Sequence, residues 1–492
     1  MVNKKAEART ERDRLGEAQL PANAYYGVQT GRNRELYQIS GQRPNPRLVD
    51  AIVTVKKTAA LTNTEAGRLD AAVGRAIAQS CDEILSGQWK DQFVVDALQF
   101  GAGASIIMNV NEVLANRANE LLGGAVGHYD RVHPIIDVDN GQSTGDVFNT
   151  AMRLAIILVS RDLEPMLLDL ERLLRRKSLE FEKITKVGRV HLQDSVPITL
   201  GQEFNAYGSA IERSVRRIKE ATNSLLEVNL GATAVGTGYG TEPEYVARVV
   251  DKLAQVSGIK FRQAEDVFRA TQSMVDFVEY SSALKELAIE LAKLGTDLVL
   301  MASGPHAGFG EIKIPAIQTE PSDLAPGLLE KTNPYLAECL TMVAYQVMGN
   351  DFTVALCAQA GQLDSNSMTP LLVNSILQSL ELLRNCIAVF NSRCLAGITA
   401  DAKRCQQLLD MSGASAAAVS AYIGVEKAMQ VLETAHRTGQ SFRELILEQK
   451  LMPAEILDRI LHYKSLTRPV KVPIGGKRAG TTYNTNAAID QS

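Results

Sequence analysis

Two polar segments carry side chains able to do acid–base chemistry. The first, residues 187–194, reads VGRVHLQD and places Arg189, Gln193 and Asp194 beside His191. Histidine changes charge nearest to neutral pH, so it can move a proton or polarise a substrate. A lone histidine is more often structural, yet loops at the end of a helical bundle are where site residues converge. We therefore treat His191 as a candidate catalytic residue.

The second polar segment, residues 318–338, reads QTEPSDLAPGLLEKTNPYLAE. Its prolines and glycine predict a loop between two long helices. A loop longer than ~12–15 residues inside a compact domain is usually functional. Among its polar side chains this loop carries Ser322, Asp323, Lys331 and Asn333. Composition alone leaves two interpretations open, a mobile surface loop and a functional loop.

A third segment, residues 141–146, reads GQSTGD and directly precedes a predicted helix. The hydroxyls of Ser143 and Thr144 can cap that helix. They can also offer hydroxyl and N–H groups to an anion. Capping is the simpler interpretation of this motif on its own.

Several other kinds of site are not predicted. The six histidines show no HExxH or other metal spacing, so we expect no metal. A GxSxG elbow is missing, which argues against a serine hydrolase. The GTGYG run at residues 236–240 lies between two predicted helices, whereas a dinucleotide loop follows a strand. We interpret that run as a turn between helices.

Long helices must position these segments. An apolar seam with intervals of three and four residues predicts a helix packed lengthwise against others; its members are Leu284, Leu287, Leu291, Leu294, Leu298 and Met301. In all, we predict five helices of roughly 25–40 residues, far above the mean of ~11–12. They cover residues 152–184, 203–228, 268–301, 334–363 and 368–394. The fold class is therefore all-α with a central bundle of five long helices. Apolar residues on more than one helix face predict self-association.

We divide the chain into three domains. Residues 1–142 form an N-terminal mixed helical domain, and residues 143–396 form the central bundle. Residues 397–492 form a small C-terminal helical domain with a flexible tail after Arg468. Shorter helices are predicted there at residues 415–438, 441–449 and 453–461, and Ser441 with Glu444 fits a capping box.

Composition narrows the class of protein. The 492 residues include 52 basic and 56 acidic side chains, a formal charge of −4, so no nucleic-acid partner is expected. No stretch approaches the ~20 apolar residues that span a bilayer, and the charged start lacks an apolar signal core. None of the six cysteines forms a CxxC pair. We expect reduced thiols, a cytoplasmic location and no membrane.

Taken together, these segments resemble the aspartase/fumarase superfamily, and in particular its aspartate ammonia-lyase branch. The resemblance runs from RLGE at residues 14–17 to GIT at residues 397–399, and includes NVNEVLAN, SGPHAG and MGND in order. It implies a three-domain all-α subunit, a small carboxylic acid substrate and no cofactor. It also implies a homotetramer in which each active site is shared between three subunits.

The family chemistry is β-elimination from a substituted succinate. A serine alkoxide removes the proton from Cβ, and the carbanion is held as an aci-carboxylate. Fumarate forms as the amine, water or another group departs. Preorganised donors must stabilise the dianionic intermediate, and a closing loop can shield the base from water.

The resemblance implies roles residue by residue. Ser322 matches the serine base, and Glu338 matches the glutamate that pairs with the family histidine, here His191. The substrate-binding positions are matched by Lys331, Asn333, Ser143, Thr144 and Ser105. Within that set, the lysine and asparagine hold the α-carboxylate. The hydroxyls at 143 and 144 hold the other carboxylate.

The sequence also departs from the family pattern. Threonine is replaced by Ala104 and Val190, asparagine by Ile107 and Gly145, and a loop serine by Asp323. Ala104 and Gly145 replace residues that contact the amino group of aspartate, which removes hydrogen bonds worth ~0.5–1.5 kcal/mol each. Both are smaller than the residues they replace, so we expect a wider leaving-group pocket. Asp323 places a negative charge near the expected β-carboxylate.

We therefore expect a C–N lyase that acts on an aspartate-like or N-substituted aspartate substrate, with plain L-aspartate a poor one. One alternative is a lyase with a different leaving group or a substrate that is not a dicarboxylate, which Asp323 favours. Another is a non-catalytic tetramer that serves as a scaffold or binding protein, which the lost polar groups favour. The enzyme is favoured because five site residues are kept together: Ser322, Lys331, Asn333, His191 and Glu338.

Overall fold

The computed structural model describes residues 8–318 and 332–469. The all-α class is confirmed, since the strands within these residues are short and pair only in twos. The predicted five long helices are present in the described residues. They are α5 (Thr144–Glu180), α6 (Leu200–Ser224), α9 (Val275–Ala302), α10 (Tyr335–Gln359) and α11 (Thr369–Arg393).

The remaining elements are shorter. In the N-terminal part they are β1 (Ala8–Asp13), β2 (Gly16–Pro21), α1 (Val28–Leu36), α2 (Pro46–Glu65), α3 (Ala71–Leu85) and α4 (Ala104–Leu121). In the middle of the chain they are β3 (Thr185–Val190), β4 (Gln193–Thr199), β5 (Glu227–Val228), α7 (Pro243–Ser257), β6 (Arg262–Gln263), α8 (Val267–Gln272) and β7 (Ile312–Lys313). Towards the C-terminus they are β8 (Thr399–Ala400), α12 (Ala402–Ser412), α13 (Ala414–Ile423), α14 (Val425–Thr438), α15 (Phe442–Glu448), α16 (Ala454–Ile460) and α17 (Tyr463–Leu466).

Two predicted helices are each split in the structure. The stretch 268–301 contains α8 and α9, because Ser273 adopts an extended conformation with ψ 127°. Asp266 caps α8 by accepting the N–H groups of Phe268 and Arg269. The stretch 415–438 contains α13 and α14, which meet at Gly424 with φ +87°. The predicted capping box at Ser441 and Glu444 is confirmed.

Contacts between residues group the chain into two compact units, and the predicted three-domain division stays a prediction. Unit 1 comprises Met1–Asp169, Ile211–Gly295 and Glu338–Phe390, and unit 2 comprises Leu170–Ala210, Thr296–Ala337 and Asn391–Ser492. Within unit 1, polar bonds join neighbouring long helices. Arg153 on α5 pairs with Asp276 on α9 at 2.8 Å, and Ser281 on α9 donates to Asp351 on α10 at 2.8 Å.

The apolar seam of α9 is buried as predicted, with Leu287 and Leu291 wholly enclosed. Burial of this kind stabilises a fold by roughly 25 cal/mol per Å² of apolar surface. In the C-terminal part of unit 2, a separate apolar cluster includes Val419, Val431 and Ile446. In the part of the chain that the structure describes, no helix is both long and apolar enough to span a membrane.

Candidate active site

The first turns of α4 and α5 lie side by side in unit 1. Gly103, which precedes α4, has φ +96°, and a Cβ built on it would lie 2.5 Å from the ring of Phe148 on α5. Only glycine permits both that backbone conformation and that approach. The beginnings of the two helices therefore pack against each other, and a helix N-terminus is a favourable place for a carboxylate.

Ser105 lies in the first turn of α4 and is 1% exposed. Its hydroxyl has no hydrogen-bond partner among the described residues. Buried hydroxyls are normally paired, so an unpaired one beside a helix N-terminus suits a polar ligand. Ile107, in place of the family asparagine, is buried as an apolar core residue.

Ser143 and Thr144 begin α5, as the motif predicts. The Ser143 hydroxyl accepts the Gly145 N–H at 3.3 Å, and Asp146 accepts the Ser143 N–H at 2.9 Å. This reciprocal pair is a capping arrangement, which fixes the orientation of the segment. Capping and substrate binding are compatible here, because the Ser143 oxygen has a second lone pair and Thr144 is partly exposed.

Gly145 is held against the backbone that follows β5. A Cβ built on Gly145 would lie 2.9 Å from the carbonyl oxygen of Ala234 and 3.3 Å from that of Thr233. The carbonyl of Gly145 accepts the side-chain amide of Asn229 at 3.2 Å. The expectation that this glycine opens extra room is therefore wrong on its Cβ side, because the Ala234 carbonyl occupies that space.

Asp146 is fully buried and connects α5 to the backbone that follows β5. One carboxyl oxygen accepts the N–H groups of Gly231 and Thr233, at 3.0 and 3.2 Å. Burial raises the pKa of Asp146 to about 6, and the backbone N–H donors only partly offset that shift. The carboxyl thus holds the candidate carboxylate site in shape and is itself sensitive to pH.

We expect the pH dependence of stability to reveal this carboxyl. The folded protein keeps a proton on Asp146 that the unfolded chain releases between pH 3.8 and about 6. The free energy of unfolding should therefore fall as pH rises through that window. In Asp146→Asn, urea denaturation should show a smaller fall in the free energy of unfolding over the same pH range. The stabilities of the parent protein and the variant should therefore converge as pH rises. A difference that stays constant from pH 4 to 6.5 would contradict this assignment.

His191 sits at the tip of a hairpin, in place of the polar break expected from the sequence. Val190 pairs with Gln193, so His191 and Leu192 form a two-residue turn. Their φ values of +56° and +60° define a type I′ turn, which favours Asn-Gly. Left-handed conformations in residues other than glycine cost of order 1–3 kcal/mol and cluster at functional sites.

The hairpin is anchored by a buried ion cluster in unit 2. Glu311 is fully buried and pairs with Lys186 at 2.7 Å and with Arg189 at 2.9 Å. Lys186 also pairs with Glu203 at 2.8 Å, and Arg189 stacks on Phe309 at 4.0 Å. Because Lys186 and Arg189 belong to β3, this neutral cluster fixes the strand that ends at the histidine.

The resemblance predicts His191 and Glu338 as a catalytic pair, and that pairing stays a prediction. His191 and Glu338 are both exposed, and neither side chain has a hydrogen bond or ion pair to a described residue. Val190 is exposed at the end of β3. Asn333 donates to the hydroxyl of Tyr335 at 2.8 Å. Three predicted residues lie outside the described residues: Ser322, Asp323 and Lys331.

Sequence reasoning missed two residues that shape the site, Asp146 and Glu311. Asp146 had an available signal, because it lies three residues after Ser143, the spacing of a capping box. Glu311 had no signal in the sequence, since its partner Arg189 is 122 residues away. Across residues 8–318 and 332–469, no group of three or more histidine, cysteine or acidic side chains is placed to hold a metal ion.

Comparisons with known proteins agree with the fold. The chain matches a family model described as Lyase over residues 16–349, and one described as Fumarase C C-terminus over residues 416–468. It is 43% identical over 469 residues to aspartate ammonia-lyase of Bacillus subtilis (strain 168), which covers 95% of this chain and 98% of that protein. It is 41% identical over 452 residues to fumarate hydratase class II of Nitrosomonas europaea, with 92% and 97% covered.

The crystal structure of fumarate lyase:delta crystallin from Brucella melitensis bound to cobalt is also similar, with a TM-score of 0.90 and 39% identity. That match covers 94% of this chain and 100% of the other. The resemblance inferred from the sequence motifs is thereby confirmed over nearly the whole chain. The chain belongs to the aspartase/fumarase superfamily, and it is a lyase of that superfamily.

Proposed function

We propose that this lyase cleaves, or in reverse forms, the C–N bond of an aspartate-like or N-substituted aspartate. Ser322 removes the Cβ proton, and the aci-carboxylate intermediate collapses to fumarate or a related unsaturated acid as the amine departs. His191 with Glu338 positions the substrate. Lys331 and Asn333 hold the α-carboxylate.

The paired helix starts carry this proposal. The starts of α4 and α5 contact each other through Gly103 and Phe148. The buried Ser105 hydroxyl in the first turn of α4 has no hydrogen-bond partner among the described residues, and Ser143 and Thr144 stand at the start of α5. A helix N-terminus favours a nearby carboxylate by roughly 0.3–1 kcal/mol, and by more when the site is partly buried. A pocket that holds one carboxylate of a dicarboxylic acid in a fixed orientation is what β-elimination requires.

The amine side of the pocket supports a substituted leaving group. Ala104 and Gly145 provide no side-chain oxygen or nitrogen, so a primary ammonium loses two expected partners. The Ala234 carbonyl against Gly145 can accept one N–H of a bound amine. A substituent on nitrogen would then lie toward Ala104, where the family threonine is missing.

Replacing Gly145 tests that geometry. Because its Cβ position is already filled by backbone oxygens, Gly145→Asn should lower the free energy of unfolding by roughly 1–3 kcal/mol. It should not restore turnover of plain L-aspartate, despite recreating the family residue. Ala104→Thr is the matched variant and should raise aspartate turnover at unchanged stability. A stable Gly145→Asn protein with improved aspartate turnover would contradict this geometry.

Two alternatives within the family remain distinct. The similarity to a protein named fumarate hydratase favours water as a second possible leaving group. Asp323 favours a substrate that is not a plain dicarboxylate. Fumarate absorbance with aspartate, malate, N-substituted aspartates and fumarate plus amines separates these options. Turnover confined to substituted amines supports the proposal, whereas malate turnover, or none with any dicarboxylate, would overturn it.

We propose further that the enzyme is a cytoplasmic, cofactor-independent homotetramer whose active sites are each shared between three subunits. One face of α10 is apolar and exposed with the three-four spacing of a helix interface: Met342, Tyr345, Phe352 and Leu356. Such a stripe is normally covered by another helix. The unpartnered His191 and Glu338 fit the same assembly, and the six free thiols fit a reducing compartment.

A charge on this stripe should break the assembly. Phe352 is 67% exposed in the single chain, so Phe352→Glu should not disturb the subunit core. Light scattering should give four times 53.4 kDa for the parent protein and a smaller species for the variant. Met429→Glu, an exposed apolar position on α14, is the matched control and should stay tetrameric. A monomeric parent, or a tetrameric Phe352→Glu, would contradict the interface.

A further inference from the structure

Helices α10 and α11 run antiparallel in unit 1, and one side chain fixes their register. The amide of Asn350 on α10 donates to three acceptors on α11. These are the carbonyl of Ser375 at 3.3 Å, the Gln378 amide oxygen at 3.1 Å and the Ser379 hydroxyl at 3.0 Å. Asn350 is almost fully buried, so this contact sets which residues face each other along the pair.

The same register places Cys339 opposite Cys386. Cys339 lies eleven residues before Asn350, and Cys386 lies eleven residues after Ser375. Eleven residues are about three helical turns, so both positions return to the facing sides, about 16 Å along the axes. The Cys339 thiol lies close enough to raise the pKa of the Cys386 thiol.

These two cysteines differ from the other four. Cys81, Cys357, Cys394 and Cys405 are buried, whereas Cys339 and Cys386 are both partly exposed. Burial and the neighbouring thiol raise the pKa of Cys386 to about 12, so that thiol stays protonated. Cys339 is therefore the thiol that we assign to the first attack. The proposed elimination chemistry uses neither.

We propose that Cys339 and Cys386 form an oxidisable pair that hydrogen peroxide converts to a disulfide. The Cys339 sulfur attacks the peroxide oxygen, giving a sulfenic acid and one water. The Cys386 sulfur then displaces hydroxide from that sulfenic acid, forming the S–S bond and a second water. The two thiols lose two electrons and two protons, and the peroxide accepts them. A dithiol such as dithiothreitol reverses the bond by exchange.

The disulfide has a consequence that rests on the proposed function. Joining the sulfurs at about 2.05 Å draws the start of α10 toward α11. Glu338 is the residue directly before Cys339, so its carboxylate moves with that turn. Since a shift of about 1 Å in a positioning residue can cost of order a hundredfold in rate, we expect oxidation to lower turnover at least tenfold.

Thiol counting on the full-length protein tests the pair without any activity assay. After hydrogen peroxide and removal of excess oxidant, titration in denaturant should fall from six thiols to four. Mass spectrometry of unreduced peptides should link Cys339 to Cys386. Cys339→Ser and Cys386→Ser should each prevent the link, and Cys357→Ala, on the same tryptic fragment as Cys339, should retain it. Six remaining thiols, a link at Cys357 or a cross-link between chains would overturn the proposal.

Measurements of turnover provide the second part of this test. Peroxide should lower turnover of the parent protein, dithiothreitol should restore it, and Cys386→Ser should resist peroxide. Formation of the linked peptide with unchanged turnover would overturn the regulatory effect but not the disulfide. If no dicarboxylate is a substrate at all, the proposed function fails, and the thiol count still decides whether the pair is oxidised.

Discussion

Replacing Ser322 with alanine should lower kcat by about a thousandfold or more, because removing a positioned base costs 10²–10⁴ in rate. The proton on Cβ of a carboxylic acid is weakly acidic, and no other hydroxyl matches the family base. KM should change little, since the substrate is held by the carboxylate-binding residues. The rate of fumarate formation measured under saturating substrate checks the change, with circular dichroism to confirm folding.

Asp323, the residue next to Ser322, provides a control whose substitution should improve rather than impair the reaction. Asp323→Ser removes a negative charge that opposes the second carboxylate and recreates the family serine. It should lower KM for plain dicarboxylates and leave kcat within a few-fold. If Ser322→Ala retained parental turnover, or if Asp323→Ser abolished it, the assignment of the base would be wrong.

The second large effect is on stability. Glu311 is fully buried between Lys186 and Arg189, so Glu311→Ala leaves two cations without their shared partner. Breaking a buried pair from one side costs about 3–5 kcal/mol. Urea denaturation should show that loss in the free energy of unfolding. Turnover should also fall, because the strand that carries His191 loses its anchor.

An exposed pair in the same unit is the matched control. Arg443 and Asp458 are 2.7 Å apart, and both side chains are about half exposed. Asp458→Asn should therefore change the free energy of unfolding by no more than about 1 kcal/mol. Equal losses in Asp458→Asn and Glu311→Ala would show that the buried cluster does not anchor the hairpin.

The long helices were predictable because their apolar spacing repeats over many turns. The seam of α9 from Leu284 to Met301 is buried as its pattern requires. The break between α8 and α9 was not predictable, since Ser273 and Met274 are neither glycine nor proline. Gly424 is a glycine and so indicates a helix break, but the helical pattern around it favoured one continuous helix.

The candidate site was predictable only where a motif is local. Ser143 and Thr144 open α5 as the GQSTGD segment indicates. The hairpin turn at His191 was missed because His-Leu is not a type I′ sequence. The Ala234 carbonyl against Gly145 depends on residues far apart in the chain, so a smaller side chain was wrongly taken as more space. Glu311 was missed for the same reason.

The most direct test of the C–N lyase assignment is whether nitrogen or oxygen adds to fumarate. Fumarate and methylamine are incubated with the enzyme in D₂O, and the products are followed by proton NMR. The proposal predicts N-methylaspartate with one deuterium at Cβ. The Ser322 hydroxyl exchanges its proton with D₂O and then delivers a deuteron to Cβ. Ser322→Ala should form almost none. Deuterated malate as the sole product, or unchanged fumarate across the amine series, would contradict a C–N lyase.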